Sequence, residues 1–367
     1  MAIQVTVYTA PPEALAKRLQ SYLPHSLLLI RRMRFTRFPG GITEHARVLW
    51  ASTVSLEDHL ARYPDVGAGK LEREGGGERE TEAPFAAAYL DFSRGPETEL
   101  WLFSSTERRG GAGVEDGIGG GDEIDSEKKK KKKMMMMMMM KEEEEEEGIE
   151  QDETACLVTL LREVRRLQDA YFVPGSTQAA EREFPTVLLG NLNEVVRERL
   201  AAPGVGMAIW STGLYDKWIF RVDDLPDVVL PEELRGVARW DIVRPEHIAF
   251  TISRTHILRR ERTMKLLPST ALYVDDGNPI AWAFLGPDSS LSSLHCEEPY
   301  RGKGLAKAVA VKILKDHLKD YGDEGYGWAD VAPDNTQSRG VCRSLRGKIT
   351  WQISWSRLDL YQSFPDQ

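Results

Sequence analysis

Residues 299–309, PYRGKGLAKAV, put an arginine, a lysine and two glycines directly in front of a helical pattern. Leu305, Val309, Ile313 and Leu314 fall on one face of that helix, Lys307, Lys312, Lys315 and Lys319 on others, and Gly322 ends it. The first turn leaves the N–H groups of Lys303, Gly304, Leu305 and Ala306 without intrahelical acceptors. Small residues at 302, 304 and 306 let an anion reach that backbone, and the helix dipole favours negative charge there. Arg301 and Lys303 add charge-assisted donors. The pattern predicts a pyrophosphate cradle; the plain alternative is a tight turn on a solvated surface. It is not a P-loop, which needs Gly-x-x-x-x-Gly-Lys and then Ser or Thr. Nor is it a dinucleotide fingerprint, because Lys307 stands where Gly or Ala is required. Asp330, at the end of the next strand, superficially suits a ribose contact, but fewer than 40 residues follow it.

The cradle needs strands on both sides. ALYVDDGNPIAWAFLG (271–286) reads as a hairpin turning at Asp276-Gly277, and SLSSLHCE (290–297) as the strand leading into the motif. GWADVA, a short helix and a last strand at ITWQISW follow it. RPEHIAFTISRTHILRRERTMKLLP (244–268) reads as helical with one break, and LPDVVLPEELRG (225–236) as a boundary.

Upstream of that boundary, SLLLIRRMRF, HARVLWASTV, AAAYLDF and ELWLFSS are strand-length runs. ETACLVTLLREVRRLQDAYF places Leu157, Leu160, Leu161, Val164 and Leu167 on one helical stripe. FPTVLLGNLNEVVRERLAA reads as a strand, an Asn cap and a helix, and the N-terminus as a strand followed by a Pro-started helix. No phosphate-type glycine loop and no catalytic spacing occurs before residue 200. The expected organisation is an α+β scaffold half over 1–225 and a chemistry-bearing unit over 236–367.

The tract EKKKKKKMMMMMMMKEEEEEE (127–147) holds seven of the eleven methionines. Methionine has one codon, so the gene repeats a trinucleotide there, which points to slippage or a retained intron. Its Lys-first, Glu-last order opposes the helix macrodipole. The flanks are Gly- and acid-rich, so disordered insertions are expected at 69–82 and 109–152. Residues 115–153 carry fifteen acidic and seven basic side chains, so this stretch holds most of the net charge of −9. The remainder is near neutral, with no basic patch that would advertise nucleic acid. Three widely spaced cysteines argue for a reducing compartment, and no apolar run approaches the length of a membrane helix. The expected location is cytoplasmic, with a nuclear alternative resting on the six lysines.

RGKGLA (301–306) matches the Arg/Gln-x-x-Gly-x-Gly/Ala signature of the GNAT superfamily of acyl-CoA-dependent N-acyltransferases. The order of hairpin, strand, motif, helix, strand, short helix and strand is similar to that family over residues 236–356. Within it, DSSLSSLHCEEPYRGKGLA behind a half lacking the motif most resembles the glycine N-acyltransferase-like branch. The resemblance implies an α/β (α+β) fold with a mixed, mostly antiparallel sheet flanked by helices. It implies acetyl-CoA or another acyl-CoA as co-substrate, no metal, and a small-molecule or peptide amine as acceptor. Arg301, Gly302, Lys303, Gly304, Leu305 and Ala306 would bind the CoA pyrophosphate. The backbone around Cys296 to Glu298 would pair with the pantetheine arm and polarise the thioester carbonyl. Asn335 and Ser338 match the family's second motif, near the same arm.

Three positions depart from the family pattern. Pro299 stands one place later than usual before Tyr-Arg, Cys342 occupies the place of a tyrosine that protonates the departing thiolate, and Arg346 replaces a glycine. A CoA thiol with a pKa near ~8.5 leaves without a strong acid. An attacking ammonium still needs a base. His295, Glu297, Glu298 and Asp330 sit at strand ends facing the expected cleft, and Glu297 and Glu298 are the nominated pair. Strand alternation puts His295 and Glu297 on one face and Glu298 on the other. His295 beside Cys296 lacks the further ligands of a metal site, and nothing places a base beside Cys342 to make it a nucleophile. Direct acyl transfer to an amine is the expected activity; a CoA-binding or interaction protein of weakened catalysis is the alternative.

Overall fold

The computed structural model describes residues 2–64, 82–108, 126–255 and 257–366, with the side chains of 108 and 126–147 left undescribed. In chain order the elements are β1 (Gln4–Tyr8), α1 (Glu13–Gln20), α2 (Leu27–Phe35), β2 (Arg47–Ser52), α3 (Leu56–Arg62), β3 (Phe85–Leu90) and β4 (Leu100–Ser104). Next come α4 (Ser126–Tyr171), α5 (Thr177–Ala180), β5 (Val187–Asn193), α6 (Glu194–Ala201), β6 (Ile209–Arg221) and β7 (Arg239–Asp241). The rest are α7 (Ile248–Ile252), α8 (Glu261–Met264), β8 (Ser269–Tyr273), β9 (Ala281–Leu285), β10 (Leu291–Cys296), α9 (Leu305–His317), β11 (Tyr326–Val331), α10 (Thr336–Ser344), β12 (Lys348–Leu358) and α11 (Leu360–Ser363).

Two sheets form, one in the order β1-β2-β3-β4-β5-β12-β6-β11 and one in the order β10-β9-β8-β7. All strand pairs are antiparallel except β4 with β5, which meet in parallel at Leu100 and Leu189. The last strand of the chain, β12, lies between β5 and β6, while β6, from before the boundary, lies between β12 and β11. Each half thus lends a strand to the other.

Among the described residues strand β10 pairs only with β9 and β11 only with β6; β10 and β11 touch without pairing, and a cleft opens between them. Helix α9 packs across β8, β9 and β10, burying Leu305, Val309, Ile313 and Leu314 with Ala329 and Val331 of β11. On the larger sheet, α4 covers one face with Leu157, Leu160, Leu161 and Val164. Helices α1 and α2 cover the other face, whose core extends to Trp328 of β11.

Three expectations need correction. SLLLIRRMRF forms helix α2, not a strand, and is buried on nearly all sides; an apolar run without clear period reads either way. Two of its three arginines are held by the second half: Arg31 pairs with Glu324 at 2.8 Å and donates to Leu318 O at 3.0 Å, and Arg34 pairs with the same glutamate. The β8–β9 hairpin is real, but its connection is a longer loop in which Asp275 Oδ1 accepts from Gly277 N at 2.8 Å. In the described part of 244–268 the helical structure is a 3-10 turn at Pro245–His247 and the two short helices α7 and α8. The insertion expected at 69–82 lies outside the described residues except Glu82. The one at 109–152 does so up to residue 125, after which the backbone of α4 begins.

Candidate active site

Strand β10 hands over to α9 through a 3-10 turn at Glu298–Tyr300 and then RGKG. Gly302 (φ 77°) and Gly304 (φ 81°) take left-handed backbone conformations, and a Cβ at either would meet nothing within 4 Å. Side chains rarely adopt that φ, so glycine is required by the turn, and the space above it stays open. None of the amides from Gly302 to Lys307 donates to a described residue; the first helical bond of α9 is Ala308 N to Gly304 O, 3.0 Å. Six N–H groups without a described acceptor thus lie at the start of a 13-residue helix, where unsatisfied donors and the helix dipole suit an anion. Arg301 Nε donates to Cys296 O (3.0 Å), which ties the turn to the end of β10. Lys303 pairs with Glu233 at 3.2 Å on the surface.

A groove of about 520 Å³ runs along this turn past Leu294, Ser338 and Val341. The same three residues line a second cavity of about 660 Å³ between β10 and β11, which extends to Tyr215, Arg259, Trp355 and Arg357. The two form a continuous passage from the cradle through the split sheet toward the first half. Inside it β10 breaks register between Ser292 and His295, with Ser293 at φ 50°. The Ser293 hydroxyl is buried with no hydrogen-bond partner among the described residues. Arg259 Nη2 donates to Ser292 Oγ at 3.0 Å beside this bulge.

Each nominated residue has a definite place. Cys296 ends β10 buried, its carbonyl taken by Arg301, and Glu297 N donates to Ile280 O. Cys296 lines the groove beside the turn, and Ser293 and Leu294 line the cleft. Asn335 and Ser338 both line the cleft, and Asn335 Oδ1 caps α10 by accepting from Ser338 N at 3.0 Å. Asn335→Ala is expected to cost about 1 kcal/mol in chemical denaturation, with Asn335→Ser restoring it. If the cap is the whole role, affinity for acetyl-CoA will return with the serine.

Glu297 binds Arg254 (2.9 Å) and His295 (3.3 Å), while Glu298 is exposed in the 3-10 turn. Neither lines the cleft. His295 stacks on Trp282 and its pKa is lowered, mainly by burial. Burial pushes the Cys342 thiol up to about 12, so it is no thiolate nucleophile.

Two carboxylates line the cleft, Glu97 and Asp330, and Glu97 is taken up by Thr263 Oγ1 (2.5 Å) and Arg260 N (3.2 Å), which donate to it. Asp330, on β11, alternates with Ala329 and Val331, which pack toward α9, so it faces the first half. It meets Lys217 Nζ of β6 at 2.7 Å and Asn191 Nδ2 of β5 at 2.5 Å, and Asn191 Oδ1 accepts from Lys217 at 2.6 Å. Burial raises its pKa to about 6 against the pull of Lys217. The sequence places Asp330 at the cleft but gives no sign of Lys217 or Asn191, which lie more than a hundred residues upstream.

The residues present fit an acyl-CoA: free amides and open glycines for a pyrophosphate, and an orphaned hydroxyl and unpaired strand edge for the arm. Among the described residues no cluster of three or more His, Cys, Asp or Glu is placed to hold a metal.

Comparison with known proteins bears on the family and the fold. Residues 2–226 match the family described as acyl-CoA N-acyltransferase verG N-terminal domain, and residues 239–347 match the acetyltransferase (GNAT) family. No curated protein sequence matches the chain. Among solved structures, a Drosophila melanogaster protein aligns over 97% of this chain and 98% of its own, with TM-score 0.51 and 13% identity. A tandem GNAT protein from the clavulanic acid biosynthesis pathway aligns over 98% and 99%, with TM-score 0.45 and 10% identity. A GCN5-related N-acetyltransferase from Kribbella flavida covers 56% of this chain and 76% of its own, with TM-score 0.40 and 13% identity. The chain belongs to the acyl-CoA N-acyltransferase family defined by the verG N-terminal domain, and its second part is a GNAT acetyltransferase domain on a mixed, mostly antiparallel fold.

Proposed function

We propose that the protein transfers an acyl group, acetyl first, from acyl-CoA to a primary amine by direct attack of the amine nitrogen on the thioester. The observation that carries the reading is the turn Arg301–Ala306, where unpartnered amides and two open left-handed glycines meet the mouth of a cleft between β10 and β11. Arg301 to Ala306 take the pyrophosphate. Leu294, Cys296, Asn335 and Ser338 flank the pantetheine arm. The strand edge at Ser293–Leu294 meets the thioester carbonyl, and catalysis is mainly positioning and polarisation. In this reading residues 1–225 are the scaffold part and 236–367 the catalytic part. The glycine N-acyltransferase-like branch is favoured by residues 288–306 alone. Three unpaired, buried cysteines support a reducing compartment. Among the described residues no helix is long and apolar enough to cross a membrane.

The test is calorimetric binding of acetyl-CoA. Gly304→Glu puts a side chain where φ is 81° and a negative charge in the cradle. Affinity is expected to fall on the order of 100-fold, by loss of charge-assisted contacts and by repulsion. Absence of binding to the wild type would remove the acyltransferase reading and leave the motif a surface turn.

A further inference from the structure

We propose that Asp330 is the general base for the attacking amine, and that Lys217 and Asn191, both from the first half, hold it in place for that task. The proposal rests on the acyltransferase reading above and deepens it. It stands first on position. Asp330 lines the cleft between β10 and β11, on the face opposite α9, so it borders the passage from the side away from the cradle. The cleft's other carboxylate, Glu97, is spent on Thr263 and the Arg260 amide, and Glu297, outside the cleft, on Arg254 and His295.

It stands second on the company the carboxylate keeps. Asp330 and Lys217 are almost fully buried, with side chains 5% and 3% exposed, and Asn191 is fully buried between them. Asn191 donates to one and accepts from the other. Lys217 also lies 3.2 Å from the centre of the Trp328 ring. Two rigid partners from β5 and β6 thus fix a carboxylate of β11. The other charged or titratable groups around this pair are Asp288 before β10, Glu107 after β4 and Cys342 of α10. Burial, opposed by Lys217, brings Asp330 to about 6, a suitable value for accepting a proton near neutral pH.

The step balances without a further reactant. The ammonium R–NH3+ gives one proton to the Asp330 carboxylate, and the freed nitrogen pair adds to the thioester carbonyl carbon. The tetrahedral adduct collapses with cleavage of the C–S bond, and its remaining extra N–H proton goes to the departing thiolate. Asp330 then releases its proton to solvent, giving an amide, a CoA thiol and one proton overall.

The experiment uses the full chain, acetyl-CoA, a panel of primary amines, and hydroxylamine as a nucleophile already largely unprotonated at neutral pH. Asp330→Asn is expected to lower kcat for amines by about 10² to 10⁴-fold. Hydroxylamine turnover should stay within about threefold and the acetyl-CoA Kd within about twofold, because neither needs the base. The wild-type rate with amines should fall as pH drops through about 6, and Lys217→Met should move that limb to higher pH by removing the cation. Equal losses for amines and hydroxylamine, no loss for either, or an unmoved limb would overturn the proposal. If Asp330→Asn does not fold, infrared titration of wild-type protein carrying ¹³C-aspartate decides. A carboxyl band appearing near pH 6 supports the assignment, and bands confined to lower pH reject it. A wild type that binds acetyl-CoA and acetylates hydroxylamine but no amine leaves the cradle standing and rejects the base. A wild type that binds no acetyl-CoA rejects both.

Discussion

Cut into fragments 1–235 and 236–367 and expressed separately, the protein is expected to give two chains that lack cooperative unfolding and that fold when mixed. The reason lies in the strand exchange. Without β12, strands β5 and β6 lose the partner that pairs with both, from Ile353–Asn193 to Leu358–Ile209. Buried Ile353 and Leu358 leave the core with it. Without β6, strand β11 loses its only pairing partner among the described residues, and Trp328 and Asp330 are stripped of Ile219 and Lys217. Each fragment then exposes a long unpaired strand edge and part of an apolar face, a state that aggregates or stays unfolded. The buried Arg31–Glu324 pair crosses the same divide, and losing one partner leaves an uncompensated buried charge. Circular dichroism and thermal melts of each fragment and of the mixture decide the matter. A cooperative melt from either fragment alone would show that the two parts are independent folding units joined by a dispensable exchange.

That exchange marks the limit of what the chain reveals locally. Strands at 47–52, 85–90 and 100–104, the Asn193 cap and the α4 stripe are visible because their signals are short-range: period two, period 3.6 and a capping side chain. The cradle is visible for the same reason, since glycine spacing and a helix start are local facts. Strand order is not local. Nothing in ITWQISW says that it slots between residues 187–193 and 209–221. Helix α2 misleads because burial on all sides erases periodicity, and two of its arginines look exposed until Glu324 and Leu318 O are seen to meet them. The candidate base follows the same rule. Asp330 stands at a strand end that the sequence marks, but its selection over Glu297 and Glu298 depends on Lys217, Asn191 and Arg254. Those residues reach it, or hold Glu297 away from the cleft, only through tertiary packing.

Glu107→Gln is expected to leave stability unchanged near pH 4.5 and to raise it progressively up to about pH 8, by an amount on the order of 2–4 kcal/mol. Glu107 is 3% exposed and follows the C-terminal end of β4, where Oε1 accepts from Ser104 N at 3.1 Å and its carboxyl also bonds the Asn193 side chain. It sits just past the end of β4, the strand that pairs in parallel with β5. Burial raises its pKa from 4.5 to about 8, outweighing Ser104, Asn193 and Lys217. The native state therefore holds a proton that the unfolded chain gives up, and stability falls as pH rises from about 4.5 to about 8. A glutamine mimics the protonated carboxyl, with one acceptor and one donor group, and carries no proton to lose. Glu99, raised to about 7, and Asp330 add slopes of the same sign to both proteins, so the difference between wild type and variant isolates position 107. Denaturation at four pH values between 4.5 and 8 measures it. A constant difference would mean that Glu107 is ionised in the fold, held by Lys217, and that the first half keeps a charged, hydrated strand end instead of a closed neutral one.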